Sequence, residues 1–160
     1  MSLRKLLALP AAALALASLS ACLEGESTFT QRCPVYTIPP VTGDTVTLTS
    51  GVRYIDAQVG TGTLVDAVSD TISFNYDGFL PDGTLFGQGA DAALRPLSTA
   101  VPGFSAGVLG MKVGGIRRIL IPAEQGYGAT PPQGTCIPAN SPLIFTVQLR
   151  SVNGQTGLPQ

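Results

Sequence analysis

Apolar and polar residues alternate most cleanly near the end of the chain, where Phe145, Val147 and Leu149 are interleaved with Thr146, Gln148 and Arg150. A period of two puts the first set on one face of a strand, so Pro142 to Val152 is expected to be a half-buried strand. The runs Thr45-Val46-Thr47-Leu48-Thr49, Val52-Arg53-Tyr54-Ile55-Asp56, Thr71-Ile72-Ser73-Phe74-Asn75-Tyr76 and Gly115 to Ile121 carry β-branched or aromatic residues in the same rhythm. Ile116, Ile119 and Ile121 keep the period only in part, and Arg117 and Arg118 between them read as solvent-facing. One helix is predicted, Gly103 to Leu109, with Gly110 as its C-terminal stop. The pattern therefore predicts an α+β fold, an antiparallel β-sheet of about five strands wrapped around one short α-helix.

The front of the chain has a different rhythm. Arg4 and Lys5 precede an apolar run from Leu6 to Leu19 that closes in Leu19-Ser20-Ala21-Cys22. This is the layout of an export signal, too short for a permanent span of about 30 Å of hydrocarbon. Its last residues resemble the lipobox of bacterial lipoproteins, which implies cleavage before Cys22 and acylation of the thiol and the new amine. A plain secretory signal with a chance cysteine is the alternative. Leu23 as the second mature residue resembles an outer-membrane sorting signal, placing the protein on the periplasmic side of that membrane in a Gram-negative host. The expected organisation is a signal peptide over residues 1–21, a tether over 22–43, one domain over 44–152 and a flexible tail over 153–160.

Charge and residue usage narrow the chemistry. Nine Lys and Arg stand against ten Asp and Glu, a net charge of −1, so the basic footprint of a nucleic-acid binder is missing. Histidine is absent, which removes most general-base, triad and metal schemes. With Cys22 given to the lipid, Cys33 and Cys136 remain, and an oxidising compartment favours a disulfide between them. It would close a loop of about 100 residues, for which the chain-entropy estimate is roughly 4 to 5 kcal/mol. Two unrelated free thiols are the alternative, and two cysteines without histidine fall short of a zinc set. No metal or cofactor is expected.

Two motifs imitate other chemistries. Gly103-Phe104-Ser105-Ala106-Gly107 matches the G-x-S-x-G nucleophile elbow, but an elbow needs a parallel sheet beneath the serine and a base beside it. The glycines are better read as allowing a short helix to pack on a sheet. Gly87-Gln88-Gly89-Ala90-Asp91-Ala92 imitates a dinucleotide fingerprint without the parallel strand and helix that would frame it, and reads as a loop.

Three further blocks stand in order. Phe74-Asn75-Tyr76-Asp77-Gly78-Phe79-Leu80-Pro81-Asp82-Gly83-Thr84-Leu85-Phe86-Gly87 sets Tyr76 and Phe86 around a tight turn. Val101-Pro102-Gly103-Phe104 opens a segment ending Gly107-Val108-Leu109-Gly110-Met111-Lys112-Val113-Gly114-Gly115, and Ala123-Glu124-Gln125-Gly126-Tyr127-Gly128-Ala129 follows a strand. In this order and spacing, from about Gly51 to Val152, they resemble the FKBP-type peptidyl-prolyl cis-trans isomerases. The resemblance implies the FKBP-like form of the predicted fold and an isomerase acting on proline-containing polypeptide clients without a cofactor. Its catalytic residues would be Tyr76, Phe86, Val101, Phe104 and Tyr127, with Ile137 and Phe145 binding substrate. Phe104 would form the pocket floor, where many members carry tryptophan. The Val101 N–H and the Tyr127 hydroxyl would donate to substrate carbonyls. For each aromatic taken singly core packing is the plainer reading, as for Phe74 and Phe145, but taken together with the Gly126-Tyr127-Gly128 turn, which exposes a tyrosine on a loop where burial alone would not ask for it, they read as a pocket.

The chain departs from the family pattern at several places. Gly87 stands where the family usually has Asp. Ala93 or Leu94 takes the place of an aromatic residue, Arg95 precedes Pro96-Leu97 where phenylalanine is common, and Ala100 replaces a larger aliphatic. Cys136 replaces an aliphatic lip residue. Two functions follow as expectations: an active, membrane-tethered isomerase, or a catalytically weak module that holds proline-containing segments as a chaperone.

Overall fold

The structure is a computed structural model that describes residues 33–94 and 96–156. The signal segment, Cys22 and the first part of the expected tether lie outside the described residues. The elements are β1 (Thr45–Thr47), β2 (Arg53–Gln58), β3 (Ile72–Phe79), β4 (Leu85–Leu94), α1 (Pro102–Val108), β5 (Ile116–Ile121) and β6 (Leu143–Val152), with short 3-10 turns at Leu97–Thr99 and Ala123–Gln125. The strands form one antiparallel sheet in the order β1-β2-β5-β6-β3-β4. The central strand β6 is also the last in sequence among the described strands. Its Leu143, Phe145, Val147 and Leu149 are buried as the alternation requires. The parity changes beyond Leu149, where a bulge opposite Ser73 and Phe74 returns Val152 to the core.

The sheet has six strands because β4, read from sequence as a loop over Gly87 to Ala92, is a strand. Its glycines hide the alternation, and cross-strand packing accounts for Gly89 as it does for Gly78 of β3. A Cβ on Gly89 would lie 2.8 Å from the Tyr76 ring, and one on Gly78 would lie 2.5 Å from the Phe86 ring. Each aromatic ring thus lies over a glycine of the partner strand, the sheet's version of a close approach.

The helix α1 packs on β5. Gly103 and Gly107 allow the contact, since a Cβ at either would lie 2.3 Å or 2.4 Å from Ile121 or Ile119. Ser105, the serine of the apparent elbow, is buried, and its hydroxyl donates to the Leu97 carbonyl at 3.0 Å. Gly110 adopts φ +80° just past the helix, the conformation a stop residue needs.

Three expectations are corrected. Arg117 does not face solvent. It shares the inner face of β5 with Ile119 and Ile121 and is 4% exposed. Asp56 receives its Nε and Nη2 at 2.7 and 3.0 Å, the Gly107 and Leu109 carbonyls receive Nη1 at 2.9 and 3.1 Å, and the guanidinium lies 3.8 Å over the Tyr54 ring. The tether does not run free to residue 43, because Val35 bridges Thr84, Tyr36 bonds Gly83 and Arg118 donates to the Pro39 carbonyl. The tail is held at its start: Asn153 bonds Asp70 and Thr71, and Gln155 pairs with Val152. Cys33 and Cys136 are joined as a disulfide with Cα atoms 6.1 Å apart.

Candidate active site

The pocket wall begins with an irregularity in the β3–β4 ladder. Phe74 pairs with Ala92 but Tyr76 pairs with Gly89, so β4 carries one extra residue. Asp91 absorbs it at φ +51°, and its N–H donates to the Asn75 side-chain oxygen at 2.9 Å. Phe74 and Tyr76 project from β3, Phe86 from β4, Phe145 from β6 and Phe104 from α1. Phe145 is the hub, with ring centroids 5.3 Å from Phe86, 5.1 Å from Phe104 and 6.0 Å from Tyr76, the first two edge-on. Phe74 lies 5.7 Å from Tyr76 and 5.4 Å from Phe104. Edge-to-face contact at these separations fixes ring orientation as well as burying area.

These rings enclose one face of a cavity of about 440 Å³. Every residue assigned to the pocket from sequence lines it: Tyr76, Phe86, Val101, Phe104, Tyr127, Ile137 and Phe145. Phe74 lines it too, although its ring is almost wholly buried in the core. Sequence reasoning gave no signal for Ala92, Thr99 and Thr135, which with Ala93, noted above as a departure from the family pattern, complete the wall from β4 and two loops. The substituted positions Gly87 and Ala100 also face the cavity. A Cβ on Gly87 would meet the Tyr76 hydroxyl at 3.5 Å, so a side chain fits there.

Few polar groups face this space. Val101 caps the start of α1, and its carbonyl accepts from Phe104 and Ser105 at 3.0 and 3.2 Å. Its own N–H has no hydrogen-bond partner among the described residues, and neither do the hydroxyls of Tyr76 and Tyr127. Burial, and then the neighbouring Tyr76, raise the Tyr127 phenol above its usual value, which keeps it a neutral donor. Among the described residues no cluster of His, Cys, Asp or Glu could hold a metal ion. A larger hollow of about 500 Å³ lies on the other side of β3 and β6, lined by Asn75, Asp77, Gln88, Thr146 and Gln148. Its amides already bond each other, Asn75 Nδ2 to Gln148 Oε1 at 3.1 Å, and it is the solvated face of the sheet.

Residues 65–150 match the family model for FKBP-type peptidyl-prolyl cis-trans isomerase. The chain belongs to this family. FK506-binding protein 4 of Gibberella zeae is 39% identical over 119 residues, which cover 71% of this chain and 23% of that protein. The FKBP-type peptidyl-prolyl cis-trans isomerase FkpA of Aeromonas hydrophila is 35% identical over 106 residues, 64% of this chain and 38% of the relative. The chain thus spans about a quarter to two fifths of these curated relatives. Among solved structures, FkpA from Escherichia coli superposes with a TM-score of 0.61 at 34% identity, covering 68% of this chain and 51% of that one. A peptidyl-prolyl cis-trans isomerase from Pseudomonas syringae gives 0.62 at 28% identity, covering 68% and 80%. The FKBP-like α+β fold follows from both comparisons.

Proposed function

We propose that this FKBP-family chain accelerates cis-trans exchange of X-Pro bonds in exported polypeptides. The observation that carries the reading is the ring-walled cavity with three unpaired donors at its margin. Rotation about the peptide bond is opposed by about 18–20 kcal/mol because amide resonance must be broken. The twisted state has less charge separation on oxygen and nitrogen than the planar one. A water-poor pocket therefore favours the twisted amide relative to the planar one, and the reaction needs neither nucleophile nor base. Phe104 and Phe145 would receive the proline ring, Tyr76, Phe86 and Ile137 would flank it, and the Val101 N–H and Tyr127 hydroxyl would fix the flanking carbonyls.

The same reading places the protein in the bacterial envelope, held by a lipid on Cys22. The basic and apolar start of the chain supports it, as does a disulfide joining Cys33 and Cys136, which persists in oxidising compartments. Cys22→Ser in the full chain should move the protein from the membrane fraction to the soluble fraction.

A second reading, a weakly catalytic module that holds proline-containing segments, is favoured by Gly87, which leaves the Tyr76 hydroxyl without a carboxylate partner. Exchange spectroscopy on a Leu-Pro tetrapeptide separates the two. Faster exchange with the protein supports the isomerase, binding without acceleration supports the holding module, and neither would overturn both.

A further inference from the structure

The stretch of chain expected to be a tether is bonded to the turn between β3 and β4, next to a strand that lines the pocket. The Pro34 carbonyl accepts the Leu85 N–H at 2.9 Å and the Tyr36 N–H donates to the Gly83 carbonyl at 2.9 Å, so residues 33–38 form a strap along the β3–β4 turn. Gly83 has φ +88°, and a Cβ there would lie 2.2 Å from the Tyr36 carbonyl oxygen, so only glycine admits the strap this closely. Leu85 is adjacent to Phe86, which lines the cavity.

At its start the strap is bonded through Cys33 to Cys136. Cys136 lies between Thr135 and Ile137, and both of these line the cavity. Their loop is tied at its ends by the Thr130 N–H on the Tyr127 carbonyl at 3.2 Å and the Asn140 N–H on the Gly128 carbonyl at 2.7 Å. Between those ties the disulfide joins the loop to the strap. The Phe86 side and the Ile137 side of the pocket are thereby linked by a continuous covalent and hydrogen-bonded path.

We propose that Cys33, Cys136 and the strap are positioning residues that hold Thr135 and Ile137 in the pocket wall and so set its affinity for proline-containing segments. This rests on the isomerase reading. A loop ordered before substrate arrives loses less conformational freedom on binding, so the clasp acts on KM and leaves the twisting step to the aromatic walls.

The test compares the oxidised full chain, the same chain reduced with dithiothreitol, and Cys33→Ser/Cys136→Ser, at a temperature where circular dichroism shows each folded. With a Leu-Pro tetrapeptide, opening the clasp should raise KM about three- to tenfold, the scale of ordering one or two side chains, with kcat within about twofold. Dithiothreitol should have no effect on the double variant. Gly83→Ala, which lifts the strap while keeping the disulfide, should raise KM in the same direction and serves where the double variant does not fold. A folded, reduced protein with the KM of the oxidised one would overturn the clasp, as would a change confined to kcat. If the oxidised chain does not accelerate exchange, the isomerase reading fails, and the peptide Kd from an NMR titration takes the place of KM. Weaker binding on reduction would then still support the clasp, whereas an unchanged Kd or no binding would overturn it.

Discussion

Arg117→Met tests the reading of the core most severely, because it keeps the stem volume and removes only the guanidinium. In the native fold four of that group's N–H donors are used, two on Asp56 and one each on the carbonyls of Gly107 and Leu109. Breaking a buried ion pair from one side costs about 3–5 kcal/mol, chiefly through the charge left behind. Here the abandoned Asp56 side chain is 30% exposed and water can reach it, which places the cost at the lower end, about 3 kcal/mol. Asp56→Asn should cost less, about 1–2 kcal/mol, since an amide oxygen still accepts and the two helix carbonyls keep their donor. Urea unfolding without reductant, followed by circular dichroism, gives both values when the m-values agree. A loss below about 1 kcal/mol for Arg117→Met would refute the assignment of a structural clamp between β5 and the end of α1. Because α1 carries Phe104, the folded variant should also bind Leu-Pro peptides more weakly.

Four further outcomes follow from the geometry. Gly87→Asp fits against the Tyr76 ring without strain, and by giving that hydroxyl a charged acceptor it should raise kcat/KM by up to about tenfold in the exchange assay; a fall in activity with stability kept would contradict this. Tyr127→Phe should lower kcat/KM by about fivefold, one hydrogen bond's worth. In the parent the raised phenol pKa keeps the donor through neutral pH, and its contribution to stability is full below the unfolded phenol value of about 10 and lost as pH rises through the higher folded value. Ser105→Ala should cost about 1 kcal/mol in urea without altering isomer exchange, because the Leu97 carbonyl still accepts from Ala100; abolished activity would revive the nucleophile elbow. Asn153→Gly retains the φ +50° backbone and deletes the amide that, ahead of the Ala67 N–H, holds Asp70 below the ordinary carboxylate range. That lowered value gives stability above the unfolded carboxyl pKa of about 3.9, lost as pH falls through the folded one, so acid titration by NMR should find Asp70 shifted upward in the variant.

Where one face of a strand is buried and the other wet, alternation made the strand legible, as with Leu143 to Leu149. It failed at β4, where glycines and alanines leave no apolar rhythm because the large side chains over that strand belong to its neighbour. It also misplaced Arg117, since a cation between isoleucines looks solvated until its acceptors, distant in sequence, are known. The strap and the ordered start of the tail were hidden for a related reason: backbone pairing in Tyr36 and Asn153 leaves no trace in hydropathy. The pocket aromatics were legible through the spacing of three blocks. Thr99, Thr135 and Ala92 were not, because small residues at a rim are chosen by what they leave open.

The position of β6 sets the order in which the molecule can be completed. It follows the other described strands in sequence and lies between β5 and β3, so until it docks the described strands make two separate ribbons, β1-β2-β5 and β3-β4. Phe145 also arrives with this strand, so the cavity cannot be assembled while the C-terminal segment is still in transit. The half-made ribbons present open edges to solvent during that wait, a state prone to mispairing with neighbouring chains.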